Sequence, residues 1–127
     1  MTHLYSYAMP VGRVLIALIF IMAGFGKFAD PGSSAGYMAA FGVPTLLLWP
    51  AAIFELVAGI FILIGFQTRI TALLLAGFSV LSALIFHTNF GDQIETIMFM
   101  KNLGLAGGFL FLFAHGAGTL SVDNHNS

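Results

Sequence analysis

The chain has 127 residues, of which 59% are hydrophobic and 7% are charged, and its formal net charge is −1. Soluble domains carry roughly 25% charged residues, so this composition excludes an ordinary water-soluble globule and indicates an integral membrane protein. The charges form no basic cluster, so nothing indicates nucleic acid as a partner. The absence of cysteine excludes disulfides, thiolate metal sites and thiol redox chemistry in this chain.

Four apolar segments approach the roughly 20 residues that span a bilayer core. The first run is longer than a signal-peptide core and ends in a loop sequence, so we interpret it as a retained helix. None of the runs shows the alternation of membrane strands, and no linker divides the chain. The sequence therefore predicts one domain over residues 1–127, an all-α integral membrane protein folded as an up-down bundle of four transmembrane helices. The predicted helices cover about residues 9–28, 46–66, 70–87 and 97–117.

The connections between these segments differ in length and character. The first, residues 29–45, is rich in Gly, Pro and Ser, and we expect the segment around Tyr37 to form a short interfacial helix. The second is so tight that the helices it joins must be antiparallel neighbours. Pro50 either kinks the second helix or stands at its first position, where a missing N–H costs nothing. The polar tail, residues 118–127, is expected to be frayed.

Orientation is only weakly encoded in the loops. An even number of helices places both termini on the same side, and the positively charged residues split evenly between the two sides. The tight turn at Arg69 resembles a cytoplasmic turn, and the acidic third loop, residues 88–96, suits the outside. We therefore expect both termini in the cytoplasm.

Glu55 is the most informative residue, because residues 31–67 contain no other charge. An ionisable side chain at membrane depth is costly and needs an interior partner or a water-filled pocket. Helical spacing places small or polar residues on one face of each helix, and these faces should point inward. They comprise Arg13, Ala17, Phe20, Gly24 and Lys27 in the first helix, Ala52, Glu55, Gly59 and Ile62 in the second, Ala72, Ala76, Ser79, Ala83 and His87 in the third, and Lys101, Gly104, Gly108 and His115 in the fourth.

The rise of a helix predicts which polar residues share a depth. On this basis Glu55 should pair with Lys101 from above or with Arg13, about 10 Å below. Two alternatives stay open: Arg13 and Lys27 can extend to the membrane interface, and His87 can serve a simple interfacial role. The candidate ligand-binding or buried polar cluster comprises Arg13, Lys27, Glu55, His87, Lys101 and Asn102.

Cofactor motifs are absent from the sequence. No spacing of His and carboxylates is typical of a metal site, and no nucleotide, flavin or catalytic motif is present. His87 and His115 fall at opposite membrane faces, so they cannot both ligate one haem. Whether the chain is catalytic stays open.

Several of these residues carry a resemblance to the DoxX family. The resemblance covers about residues 10–117, in order and at the expected spacing. It implies a small four-helix protein of the bacterial inner membrane. Members are provisionally called oxidoreductases, in part because the related DoxD protein is a subunit of a thiosulfate:quinone oxidoreductase. The matching elements are Gly12-Arg13-Val14 through Ala23-Gly24-Phe25-Gly26-Lys27-Phe28, Gly42-Val43-Pro44, Glu55-Leu56-Val57-Ala58-Gly59, Leu63-Ile64-Gly65, Arg69, His87 and Lys101-Asn102.

The polar residues and the resemblance together lead to a functional expectation. We expect a membrane subunit or accessory of a redox system that binds a small amphipathic molecule, such as a quinone, in the outer half of the bundle. Its partners would be the lipid bilayer, redox proteins, the ligand and, if it oligomerises, other copies of the chain. The alternatives are a small-solute transporter or permeability factor with Glu55 as a proton-coupled gate, and a non-catalytic assembly protein.

Overall fold

The computed structural model describes residues 2–123. Four of its helices are long and apolar enough to cross a membrane, so the predicted all-α membrane bundle is confirmed. The fifth, α2, is the short helix expected in the first connection, and it spans ten residues. The elements are α1 (Thr2–Ala29), α2 (Pro31–Ala40), a 3₁₀ turn (Thr45–Leu47), α3 (Leu48–Ile64), α4 (Thr68–Phe86) and α5 (Gln93–His115).

The helix boundaries follow local capping chemistry. Asp30 caps α2 by accepting a hydrogen bond from the backbone N–H of Ser33 at 3.2 Å, and Pro31 takes the first helical position. Pro50 lies in the first turn of α3, where backbone N–H groups have no intrahelical partner, and not at a kink. Gly65, with φ of +72°, ends α3 in the left-handed conformation. The predicted boundaries are therefore displaced by a few residues, most of all at the start of α1.

Two helix pairs make up the bundle. Helix α1 packs mainly against α3, and α4 mainly against α5. All four meet in a central core, where the rings of Phe20 and Phe109 lie 5.4 Å apart between centroids. We call the end that carries α2 and the α4–α5 loop the α2 end of the bundle, and the opposite end the C-terminal end. The buried core comprises Ala17, Phe20, Ala58, Ile62, Ala72, Leu75, Ala76, Ala106, Phe109 and Leu112.

Glycines allow α1 and α3 to approach closely. A Cβ added to Gly24 would lie 2.8 Å from the Leu56 backbone N and 2.9 Å from the Ala52 carbonyl oxygen. A Cβ on Gly59 would lie 2.8 Å from Cγ1 of Ile21. Since lipid tails are as apolar as Leu, close packing of this kind is a main source of helix association in membranes.

The predicted inward faces hold for α1, α3 and α4, but the prediction for α5 was wrong. The buried residues of α5 are Asn102, Ala106, Phe109 and Leu112, whereas Gly104 and His115 are exposed. The prediction placed the charged Lys101 on the inward face of α5. The packing of the bulky Phe109 beside Phe20 instead determines which face is buried. Gly104 therefore borders open space and does not bring two helices together.

The two glycine environments give a matched pair of substitutions. We expect Gly24→Ala to destabilise the protein by about 1–3 kcal/mol, because the new methyl group meets backbone atoms of α3 that cannot move aside. Gly104→Ala should be neutral or stabilising by up to about 1 kcal/mol, because Ala is the better helix former. Thermal unfolding in a mild detergent measures both. Equal stability of the two variants would contradict the close α1–α3 contact.

The chain beyond α5 folds back under the bundle. The backbone N–H groups of Val122 and Asp123 donate to the carbonyls of Ile64 and Gly65, each at 2.9 Å. We call residues 118–123 the C-terminal strap. The expectation of a frayed tail was wrong for the strap, and residues 124–127 lie outside the described part of the chain.

Candidate functional site

The buried carboxylate of Glu55 has a different partner from those expected. Lys27 Nζ lies 2.9 Å from Glu55 Oε1 and 3.1 Å from Oε2. The side chain of Glu55 is 5% exposed and that of Lys27 is 22% exposed. The predicted pairing with Lys101 or Arg13 was wrong, because α1 packs on α3 through Gly24 and thereby points Lys27, one turn later, at Glu55.

Arg13 is buried at the C-terminal end of the bundle, with 1% of its surface exposed. Its guanidinium donates to the carbonyls of Ile62 at 3.4 Å and Leu63 at 2.9 Å, in the last turn of α3. It also donates to the strap carbonyls of Thr119 at 2.8 Å and Leu120 at 2.7 Å. A cation suits the carbonyl end of a helix, and Arg13 does not pair with Glu55. It joins α1, α3 and the strap.

Asp123 completes this connection from the strap. Its carboxylate accepts hydrogen bonds from the backbone N–H groups of Gln67 at 2.9 Å and Thr68 at 3.0 Å, at the start of α4. Partial burial acts to raise its pKa, but these hydrogen bonds and the charge of Arg13 outweigh burial and hold the pKa below its ordinary value. The ionised carboxylate of Asp123 therefore stabilises the turn between α3 and α4.

The depressed pKa of Asp123 predicts an acid-dependent stability. The ionised carboxylate contributes stability above its unfolded-state pKa of about 3.9, and that contribution is lost as the pH falls through the lower folded-state value. Asp123→Asn should therefore be less stable than the wild type at pH 7, and the difference should shrink in acid. Melting curves of both proteins between about pH 2 and 7 measure this. A difference that is constant across this range would show that the charge is irrelevant.

The α2 end holds a second pair of polar side chains. His87 Nδ1 lies 3.0 Å from Glu95 Oε2, across the loop between α4 and α5. Burial, and in addition the negative charge of Glu95, raise the pKa of Tyr37 on α2. Glu95, in the first turn of α5, thus acts electrostatically on α2 at this end of the bundle.

A large cavity opens at the α2 end between α1, α2, α3 and α4. Its volume is about 510 Å³, within the usual range of small-molecule sites. The Lys27–Glu55 pair lies in its wall, and the ring of Tyr37 stacks on that of Phe86 with centroids 5.3 Å apart. The other lining residues are Ser33, Ser34, Met38, Val43, Leu47, Ala51, Phe78, Leu81, Ser82 and Ile85.

A second cavity, of about 130 Å³, lies inside the bundle and touches all four long helices. Glu55, Phe78 and Ser82 line both cavities. The small cavity also brings together His87, Lys101 and Asn102 from the predicted cluster; its remaining lining residues are Ile19, Phe20, Ala23, Ser79 and Leu105. Of the candidate residues, Arg13 alone borders neither of these two cavities.

Some lining residues escaped the sequence analysis. Tyr37 belongs to a segment recognised only as a short helix, and Ser82 lies one position off the predicted face of α4. Phe86 reads as one more apolar residue in an apolar helix. These residues share only their position at the α2 end, and that position is known only once the fold shows α2 lying over α3 and α4.

Comparison with known proteins identifies the family. The model of the DoxX family matches residues 8–88, which include Lys27, Glu55 and His87. The chain belongs to the DoxX family. The inner membrane protein YqjF of Escherichia coli is 43% identical over 123 residues, which cover 97% of this chain and 95% of the relative. The inner membrane protein YphA of the same organism is 36% identical over 120 residues, or 89% of this chain and 86% of the relative.

A more distant relative carries a hint of chemistry in its name. CatD of Bacillus subtilis, provisionally named an oxidoreductase, is 30% identical over 64 residues, or 50% of this chain and 48% of CatD. No solved structure shows significant similarity to the chain. These findings, with the four spanning helices, make the chain a DoxX-family protein of the inner membrane.

Proposed function

We propose that this protein binds a small amphipathic molecule, such as a quinone, in the large cavity and serves as a membrane subunit or accessory of a redox system. The observation that carries the proposal is the cavity of about 510 Å³ beside the Lys27–Glu55 pair. Ligand sites are mostly apolar with a few placed polar groups, and this cavity has that character. The redox assignment rests on the provisional name of CatD, which matches half of the chain.

The cavity wall supplies different contacts to the two parts of such a molecule. Lys27, Ser82 and Tyr37 bear hydrogen-bond donors that suit a carbonyl oxygen. The aromatic wall of Tyr37 and Phe86 suits the face of a ring. Exposed apolar side chains such as Leu47 and Leu81 continue from the cavity lining to the lipid-facing surface, where an apolar tail would lie.

The packing below the cavity favours binding over transport. Ala58 and Ile62 of α3 and Phe109 and Leu112 of α5 belong to one buried apolar cluster between Glu55 and the C-terminal end. Beyond it, both terminal nitrogens of the Arg13 guanidinium donate to backbone carbonyls. A proton or solute passing Glu55 would thus meet a packed core, so the arrangement suits a site that is closed on one side.

Identification of the bound molecule tests the proposal. Protein purified from native membranes in a mild detergent is extracted with organic solvent, and the extract is analysed by mass spectrometry. Ala51→Phe fills the cavity, whereas Val57→Phe adds the same ring to the exposed side of α3. We expect a molecule that co-purifies with wild type and Val57→Phe and is lost from Ala51→Phe. Equal amounts in all three proteins, or none in any, would rule the cavity out as a ligand site.

The proposed orientation places both termini in the cytoplasm and the large cavity in the outer half of the membrane. Because the chain has no native cysteine, single cysteines report sidedness directly. We expect cysteines at Ser33 and Gly91, which are exposed at the α2 end, to react with an impermeant reagent in intact cells. A cysteine at the exposed Gln67 should react only after lysis. The reverse pattern would invert the orientation and leave the bundle unchanged.

A further inference from the structure

One cation in the lining of the small cavity makes no ion pair. Among residues 2–123 the carboxylate of Glu55 is paired with Lys27 and that of Glu95 with His87. Lys101 lines the cavity and has neither a carboxylate partner nor a hydrogen-bond acceptor in the described part of the chain. It lies eight residues into α5, about 12 Å below the start of that helix. An unpaired cation at membrane depth is costly and marks a functional site by default.

A buried hydroxyl without a partner lines the same cavity. Ser79 is 2% exposed, and its Oγ has no hydrogen-bond partner. Leaving a buried polar group unsatisfied destabilises the folded state. Asn102, which is 7% exposed, contributes an amide group to the same lining. Three kinds of donor, an ammonium, a hydroxyl and an amide, therefore border one small cavity.

We propose that the small cavity binds a monoanionic oxygen group, such as a carboxylate, between Lys101, Ser79 and Asn102. Glu55 in the same lining is already paired with Lys27. Water would therefore satisfy the hydrogen bonds but leave Lys101 without an ion pair, whereas an anion would supply both. A volume of about 130 Å³ accommodates a group of this size.

The anion can come from two sources. One is a small free anion. The other is the acidic head of the amphipathic molecule in the large cavity, since Glu55, Phe78 and Ser82 line both spaces. Only the second source rests on the proposed function.

Melting temperatures of the purified protein in a neutral detergent test the proposal. Acetate represents the free anion and octanoate the amphipathic acid, each added at constant ionic strength against chloride, which carries no oxygen. We expect a saturable rise of several degrees in the wild type, because a ligand that binds only the folded state stabilises it. Lys101→Met should lose this rise and, without added anion, should melt no lower than the wild type. Arg69→Met removes an exposed cation at the opposite end and should respond as the wild type does.

The milder variant Ser79→Ala keeps the test decisive if Lys101→Met does not fold. It should fold normally and require several-fold more anion for the same rise. A rise with acetate supports the free anion, whereas a rise with octanoate alone, abolished by Ala51→Phe, supports the acidic head. The proposal is overturned if neither acid raises the melting temperature of the wild type, or if octanoate raises that of Lys101→Met equally. In either case, a molecule that still co-purifies in an Ala51-dependent manner would leave the proposed function standing.

Discussion

Replacing Glu55 by Ala should lower the free energy of unfolding by about 3–5 kcal/mol, because it leaves Lys27 without its partner inside the bundle. Lys27→Met should be harmful for the same reason, since it leaves a buried carboxylate unpaired. The double change Glu55→Gln with Lys27→Met removes both charges and should recover much of the loss. Reversible unfolding in mixed micelles measures all of these variants.

The matched control for this pair is Glu55→Gln with Lys101→Met. Lys101 borders the same small cavity as Glu55 but makes no ion pair with it. A double-mutant cycle should therefore give a coupling energy well above 1 kcal/mol for Glu55 with Lys27 and a smaller one for Glu55 with Lys101. A larger coupling to Lys101 would overturn the assignment of the pair.

The second large effect is expected at Arg13. Arg13→Met removes the donor to backbone carbonyls in α3 and in the strap, and hydrogen bonds to charged groups contribute about 1.5–3 kcal/mol each. We expect a loss of at least about 3 kcal/mol and release of the strap. Arg13→Lys should recover only part of the loss. The guanidinium donates to α3 and to the strap through two separate nitrogens, and a single ammonium cannot reproduce this geometry.

A cysteine at Ser121 reports release of the strap separately from stability. Ser121 is buried, and the protein has no other cysteine. With Ser121→Cys as background, Arg13→Met should make the thiol react rapidly with a soluble reagent. Arg69→Met, which removes a cation at the same end with one 3.3 Å hydrogen bond to the His115 carbonyl, should leave it protected. Equal protection in both variants would show that Arg13 does not hold the strap.

The bundle was predictable from sequence because apolar length and helical spacing act locally. Every residue predicted to face inward in α1 and α3 is buried, except Lys27, which is half-buried. The phase of α5 was not predictable in the same way. Its sequence carries polar, small and bulky residues around most of its circumference, so the packing of Phe109 against Phe20 decides which face turns inward.

The partner of Glu55 was missed because depth alone does not determine neighbours. Helix rise places several cations within reach, but the choice among them depends on which helices pack together. Helix α1 lies against α3 because Gly24 and Gly59 remove side chains from that contact, and this selects Lys27. The strap was missed for a related reason. Its backbone hydrogen bonds to Ile64 and Gly65 do not depend on residue type, so the sequence does not indicate them.

The contacts of Arg13 also have a consequence for how the molecule is made. Arg13 belongs to α1, whereas Thr119 and Leu120, which accept its hydrogen bonds, follow 106 and 107 residues later. During synthesis its guanidinium therefore lacks these acceptors until all four long helices have been translated. We expect the C-terminal end of the bundle to close only after the strap has been synthesised. A chain that stops short of residue 119 would keep a cation without these acceptors and remain distinguishable from the finished protein.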